Sequence, residues 1–355
     1  REPRVTKEIV SVSLGPSSLD YEFTSQMFGE AIHVRRLGAD GDVGRARQLV
    51  AHFDGQVDAI GLEEMAIYFR VGRRMYVHRQ ILEVARAAQS TPVVDGVHLK
   101  STLERWAINR VAQKQPGIFG HRRVFVLSGT DRYPMAQVLS SYTHQILFGD
   151  PIFQLNLPFA LRSFRQLERY AELVLPALCR APQGKLSSLE GGQALGTPRG
   201  TRYFRQADII AGGSSYIRRL APEDLRGKLV ITDSLAASDI EELRGQGVAS
   251  IITFTPPLNE KHPFVGTAVL EAIFVSVMDR ALEEITEDDY LNLVERSGLE
   301  PQITVLNEPR DVNRFAFVIH PLSVDFVFNH PQLKYLRFLP KRPIERLMAY
   351  LRPLY

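Results

Sequence analysis

The chain has 355 residues, of which 45% are apolar and 23% charged, and it carries a formal net charge of +3. These values describe an ordinary globular protein with room for two cores, and they exclude a disordered or strongly polycationic chain. So small a charge gives no ground for nucleic-acid binding, although the basic residues are mainly Arg, whose fork suits carboxylate or phosphate, so a small anionic ligand is permitted.

In chain order, residues 8–120 predict a first α/β unit. EIVSVSLG reads as an apolar strand ending at Gly15, and AIHVRRLG as a second strand. VGRARQLVAHF spaces its apolar residues as a helix does, and VDAIGL is a short buried strand. IYFRVGRRMYVH predicts a hairpin turning at Gly72, ILEVARAAQ a helix, TPVVDG a strand and STLERWAINRV a helix. Residues 121–265 predict a second unit with strands RVFVLSG, HQILFGD, ADIIAG, KLVITDS and ASIITFTP and helices between most of them. Such alternation implies two α/β units with mostly parallel sheets, the second Rossmann-like. Residues 155–180 read as helical, and PQGKLSSLEGGQALGTPRG as a flexible insertion or a lid. TAVLEAIFVSVMDRALEEI predicts a helix over 267–285, and TEDDYLNLVERSGLEP another capped by Thr286. The expected division is 1–120, 121–285 and a C-terminal extension 286–355. After that second helix the extension continues with the strand RFAFVIHPL and reads as the start of a further, truncated domain.

Cys179 is the sole cysteine, which precludes an intrachain disulfide and a cysteine-type zinc centre and fits a reducing cytoplasm. No apolar run approaches the ~20 residues of a transmembrane helix. REPRVTKEIV has no signal-peptide core, and its opening Arg leaves room for residues upstream. His78, His98, His262 and His320 show no metal spacing, so no metal site is expected.

RVFVLSGTDRYPMAQVLSSYTHQILFGD, residues 123–150, has the plan of a dinucleotide unit: strand, tight turn, helix, and a second strand ending in an acid. Asp150 stands where a ribose-binding acid belongs. Gly129 supplies one glycine of the usual three, Asp131 is placed to cap the helix, Arg132 to offset its charge, and Ser128 and Thr130 to donate hydrogen bonds. Two readings stand, an NAD or NADP site and bare α/β scaffold. Ligands of open α/β sheets lie beyond the carboxyl ends of the strands. Gly212, Thr232 and Thr255 lie at three other such ends and extend the candidate cofactor set, which Asp150 tilts towards NAD.

In the first unit, Asp95 ends a strand and Lys100 stands before a helix whose Ser101 and Glu104 fit a capping box. A lysine at the positive end of a helix dipole has its charged form disfavoured, which suits acid–base work or an anionic substrate. Glu63 and Glu64 follow VDAIGL towards the same crevice, while Arg73 and Arg74 on the hairpin turn read as solvated.

The segments EIVSVSLG, GADGDVGRA, DGQVDAIGL, TPVVDGVHLKSTLERWA, VFVLSGTDRYPMA, YIRRLAPEDLRGKLVIT and FVGTAVLEA together resemble a bacterial family labelled quinate 5-dehydrogenase, over about residues 8–280. The resemblance implies a shikimate-dehydrogenase-like plan, a catalytic α/β domain followed by a Rossmann domain. It also implies NAD(P)-dependent oxidation of a small hydroxy acid such as quinate. In that plan a lysine and an aspartate act at the hydroxyl that loses hydride, and Lys100 with Asp95 is the comparable pair. The tail RFAFVIHPLSVDFVFNHPQLKYLRFLP resembles the opening of predicted amino-acid dehydrogenases, the group that includes acyl-carrier-protein reductases. That implies fatty acyl or aldehyde reduction as an alternative. A non-catalytic nucleotide-binding or assembly subunit is a further alternative, with a partner protein or a second copy docking on the extension, for instance on its helical segment at 343–352.

Overall fold

The structure is a computed structural model that describes residues 6–183, 198–255 and 265–308. Residues 1–308 form one compact unit. The strand expected at RFAFVIHPL, the helical segment at 343–352, most of the Gly/Ser-rich insertion, His262 and His320 lie outside the described residues.

The first sheet is built from β1 (Thr6–Ser13), β2 (Tyr21–Met27), β3 (Glu30–Gly38), β4 (Ala59–Glu63) and, beyond the hairpin β5 (Tyr68–Val71) and β6 (Arg74–Val77), β7 (Val93–Val94). Its order is β2-β3-β1-β4-β7. β1 pairs in parallel with β3 and β4, and β4 with β7, while β2 runs antiparallel along the edge. Residues 9–13 of β1 are all buried, Ser11 and Ser13 among them, so both faces of this strand are covered. β2 is an unexpected strand. Phe23 is its single buried residue, and it is tied to β3 by a two-residue turn in which Phe28 and Gly29 both have positive φ, 55° and 84°. The helices of this half are α1 (Val43–Phe53), α2 (Arg79–Ala85) and α3 (Val97–Lys114). Asp42 caps α1, its carboxylate accepting the Gly44 and Arg45 N–H groups.

The second half contains β8 (Val124–Val126), α4 (Tyr133–Leu139), β9 (Ile146–Phe148), α5 (Asp150–Leu155), α6 (Phe164–Leu178), α7 (Pro198–Gln206), β10 (Ile209–Ala211), α8 (Ser214–Leu220), β11 (Leu229–Thr232), α9 (Ala237–Gly245) and β12 (Ser250–Thr253). These strands pair in parallel. The sheet order is β9-β8-β10-β11-β12, closed at the far edge by the antiparallel β13 (Gln302–Val305). The chain lays β9 on one side of β8 and β10 on the other, which makes the β8/β10 boundary the switch point of the sheet.

The chain then crosses back. α10 (Thr267–Met278) packs on β4, β1, β7 and α3 of the first half. It is apolar nearly all round, and Val269, Leu270, Ile273, Phe274 and Val275 are all buried, each worth about 1.5–3 kcal/mol of burial. Glycines let it approach. A Cβ on Gly61 would lie 2.8 Å from the Ala268 carbonyl oxygen, and one on Gly96, whose φ is +86°, 2.7 Å from the Ala268 nitrogen. α11 (Glu287–Arg296), capped by Thr286 as expected, packs on α3, and β13 then returns to the second sheet. The boundaries expected at 120 and 285 therefore do not separate compact units: residues 267–278 complete the first half, and residues 287–305 belong to the same body. The helix expected over 267–285 stops at Asp279, which turns left-handed at φ 49°.

Candidate functional site

The carboxyl ends of both sheets open on one cleft of about 700 Å³. Ser13 and Glu63 end strands of the first sheet and Asp95 follows β7, Ser128, Ser214 and Asp233 follow strands of the second, and all six line the cleft. Both halves thus direct their strand ends at a shared space, the place where open α/β sheets take ligands.

A charged cluster crosses the cleft floor. Lys100, in the first turn of α3, places Nζ 2.5 Å from Oδ1 of Asp131, which follows β8. Arg132, with 5% of its side chain exposed, reaches three carboxylates: Glu104 at 2.6 Å, Asp233 at 3.0 Å and Asp131 at 3.1 Å. Burial pushes the Asp233 carboxyl up, but Arg132, with help from the Thr232 hydroxyl, more than offsets it and brings the group down to about 2. The Asp131 carboxyl is likewise lowered, Lys100 and Arg132 outweighing burial. Glu104, from α3, goes the other way: burial raises it, and Arg132 corrects this in part. At the opposite wall, Arg36 donates to the Ser13 hydroxyl at 2.9 Å and to Asp20 at 3.1 Å, while Glu63 accepts from the Ser11 hydroxyl at 2.8 Å.

The structure rearranges the expected roles. Lys100 lies one turn inside α3, whose N-cap is Gly96, so it does not precede the helix. Ser101 and Glu104 form no capping box. The Ser101 hydroxyl donates to the His98 carbonyl at 3.0 Å, and Glu104 holds Arg132. Asp131 does not cap α4, whose N-cap is Arg132 without a side-chain cap bond. Nor is Asp95 the partner that meets Lys100. Its carboxylate accepts the N–H groups of Ile67 at 2.7 Å, Tyr68 at 3.0 Å and Val97 at 3.1 Å, which pins the base of the β5–β6 hairpin to α3. Burial and the neighbouring Glu271 nonetheless push its carboxyl up to about 6.

Asp150 is fully buried and turned inward. Its two oxygens accept the Gly129 N–H at 2.7 Å, the Thr130 N–H at 2.9 Å and the Thr130 hydroxyl at 2.7 Å. The carboxylate that would grip a ribose instead closes the turn, and it uses the backbone donors that a pyrophosphate would need. Gly129 serves packing, since a Cβ there would lie 2.5 Å from the Phe148 ring. Ser128 and Thr130 line the cleft, their hydroxyls 3.4 Å apart. Gly212 donates to the Ile231 carbonyl at 3.1 Å within the sheet, and a Cβ there would press on Leu127. The Thr232 and Thr255 hydroxyls donate to Asp233, to its carboxylate at 2.9 Å and to its carbonyl at 3.1 Å, and so hold that residue in place. Among the described residues there is no group of His, Cys, Asp and Glu able to hold a metal, and no helix long and apolar enough to cross a membrane.

Fold and site thus define an α/β protein with two mostly parallel sheets and a polar cleft at the carboxyl edges of both. The chain belongs to the family described as Domain of unknown function (DUF8754), which matches residues 98–306, more than half of its length; residues 8–95 match Domain of unknown function (DUF8753). No curated protein matches the chain. Solved structures similar to it include a hetero-hexameric glutamate dehydrogenase from Thermus thermophilus in its leucine-bound form, at 13% identity and TM-score 0.35, covering 83% of this chain and 77% of that one. They also include GanP, a glucose-galactose binding protein from Geobacillus stearothermophilus, at 8% identity and TM-score 0.33, covering 85% of this chain and 98% of that one. A periplasmic solute binding protein from Actinobacillus succinogenes with bound D-allose, at 10% identity and TM-score 0.34, covers 84% of this chain and 98% of its own. None of these bears on what this chain binds.

Proposed function

We propose that the chain is a cytoplasmic acid–base enzyme of small hydroxylated carboxylates, in which Lys100 and Asp131 take up and return the proton of a substrate hydroxyl. The observation that carries the reading is the 2.5 Å contact between these two side chains in the lining of a shared cleft. A lysine held against a carboxylate is a proton donor fixed in place, and the same cation is a grip for an anionic substrate. The resemblance to quinate 5-dehydrogenases supports a hydroxy acid as the substrate class and NAD or NADP as oxidant. The turn at 128–132 does not fit a pyrophosphate, because Asp150 consumes the Gly129 and Thr130 donors.

That occupied turn favours a second reading, a non-catalytic subunit that keeps the α/β frame to bind a ligand or a partner. One experiment separates the two. Purified protein is titrated calorimetrically with quinate, shikimate and a panel of hydroxy acids, then assayed for turnover with NAD and NADP, beside Lys100→Met and Asp131→Asn. The acid–base reading expects saturable binding, and turnover lowered about 100-fold or more in both variants with the fold intact. Binding without turnover supports the second reading, and no binding by any member of the panel overturns the first.

A further inference from the structure

A second, smaller pocket adjoins the cleft. It shares Phe69, Lys100, Thr130 and Asp131 with the cleft and continues to Tyr68, Arg70 and His98. About 20 Å³ of it is open to the centres of water molecules, and one water needs about 10–15 Å³ on that measure. Lys100, Asp131 and His98 all line this pocket, so a water there has polar partners.

His98 is the second residue of α3 and leaves 45% of its side chain in solvent. Its ring meets Tyr68 edge-on, with centroids 6.1 Å apart. Its Nδ1 lies 3.5 Å from Oε1 of Glu271, a carboxylate buried in the apolar α10 that also accepts the Tyr290 hydroxyl at 2.9 Å. The other Glu271 oxygen has no hydrogen-bond partner among the described residues. With Nδ1 turned to Glu271, Nε2 is the nitrogen left to accept a proton. Lys100 lines both the cleft and this pocket, so the pocket is a second approach to its ammonium group.

We propose that His98 is the proton port of the Lys100–Asp131 pair, exchanging protons with it through a water in this pocket. In one direction a proton leaves the Lys100 ammonium for the water, and the water passes a proton to Nε2 of neutral His98. In the other the imidazolium returns it by the same path, with no change in oxidation state. His98 is a positioning residue for proton traffic and touches no substrate. The Glu271 contact raises the imidazole above its ordinary value, burial works against this, Asp95 adds to it and Arg70 opposes it. Glu271 is thus the part that tunes the port.

The inference rests on the acid–base reading for the purpose of Lys100, but its test does not need turnover. The whole chain is labelled with ¹⁵N-lysine, and the exchange of the Lys100 ammonium protons with water is followed by NMR from pH 5.5 to 8.5. Exchange is expected to rise through a midpoint above 6.5, the ordinary value of histidine. His98→Gln removes the midpoint and slows exchange at pH 8 by about fivefold or more. Glu271→Gln keeps the midpoint and moves it down, which a purely structural role for His98 does not predict. Identical profiles in wild type and His98→Gln would overturn the proposal. If no hydroxy acid is ever turned over but the midpoint tracks His98, the port stands and the enzymatic reading falls.

Discussion

Replacing Arg132 by Met removes the cation at the centre of the cleft floor and leaves a side chain of similar reach. Glu104, with 1% of its side chain exposed, and Asp233 then lose the cation they hydrogen-bond and keep only the charge of Lys100. Removing one partner of a buried ion pair costs about 3–5 kcal/mol. An independent route agrees. The Asp233 carboxyl falls from 3.8 to about 2 in the fold, roughly 2.5 kcal/mol of stability held above its unfolded value and lost only as pH falls through 2. The raised Glu104 carboxyl costs stability at pH 8, a cost that Arg132 limits and that its loss enlarges. We expect urea denaturation followed by circular dichroism at pH 8 to give a loss of about 3–5 kcal/mol for Arg132→Met. Without the guanidinium, burial of Glu104 is opposed chiefly by the Lys100 charge, so its raised carboxyl binds a proton still more readily folded than unfolded, and the deficit shrinks at pH 5. Arg132→Met combined with Glu104→Gln should recover about 2 kcal/mol of the loss, the signature of two groups in one network. A loss under about 1 kcal/mol, or one equal at both pH values, would refute the argument that this cluster is buried and mutually compensated.

Asp150→Ala strips three acceptor contacts from the turn and is expected to cost about 2–4 kcal/mol, measured by the same denaturation. Normal stability with a selective loss of nucleotide binding would instead make Asp150 a ribose contact. The raised Asp95 carboxyl, about 6 against 3.8 in the unfolded chain, means that the folded state binds more protons between those values. Stability therefore falls as pH rises through that window, by up to roughly 3 kcal/mol from this group. His98 acts with the same sign, its contribution present below 6.5 and lost as pH rises through its raised folded value. Melting temperatures should be higher at pH 5 than at pH 7.5, and Asp95→Asn should reduce that difference; an unchanged slope in the variant would remove Asp95 as its source.

Local order was legible and distant order was not. The apolar spacing of 43–53 and the acid before it specify α1 and its cap, and the alternating strands of the second half imply the parallel sheet that is found. β2 and β13 escaped notice because edge strands bury few side chains, and each is held in place by a neighbour, not by its own pattern. Lys100 was legible as a charge in a costly place, but its partner was not: Asp131 is 31 residues away and approaches across the cleft, a distance that spacing along one helix does not encode. Asp150 stands where a ribose-binding acid belongs because it follows the second strand, yet its carboxylate is needed to close the turn beside it. Glu271 carries a signal in the sequence itself, a lone carboxylate in the apolar run TAVLEAIFVSVM.

The return of α10 to the first sheet has a consequence for how the protein is made. The first half cannot bury its sheet until residue 278 has left the ribosome, some 180 residues after β7. At the usual rate of synthesis the uncovered face waits roughly 10–40 s, in a chain whose early half would otherwise fold first. A fragment ending near residue 120 should therefore aggregate, while co-expression with a second fragment that carries 267–278 should keep it in solution. The two halves are coupled in birth as well as in shape, and genetic dissection of one without the other will report on misfolding and not on function.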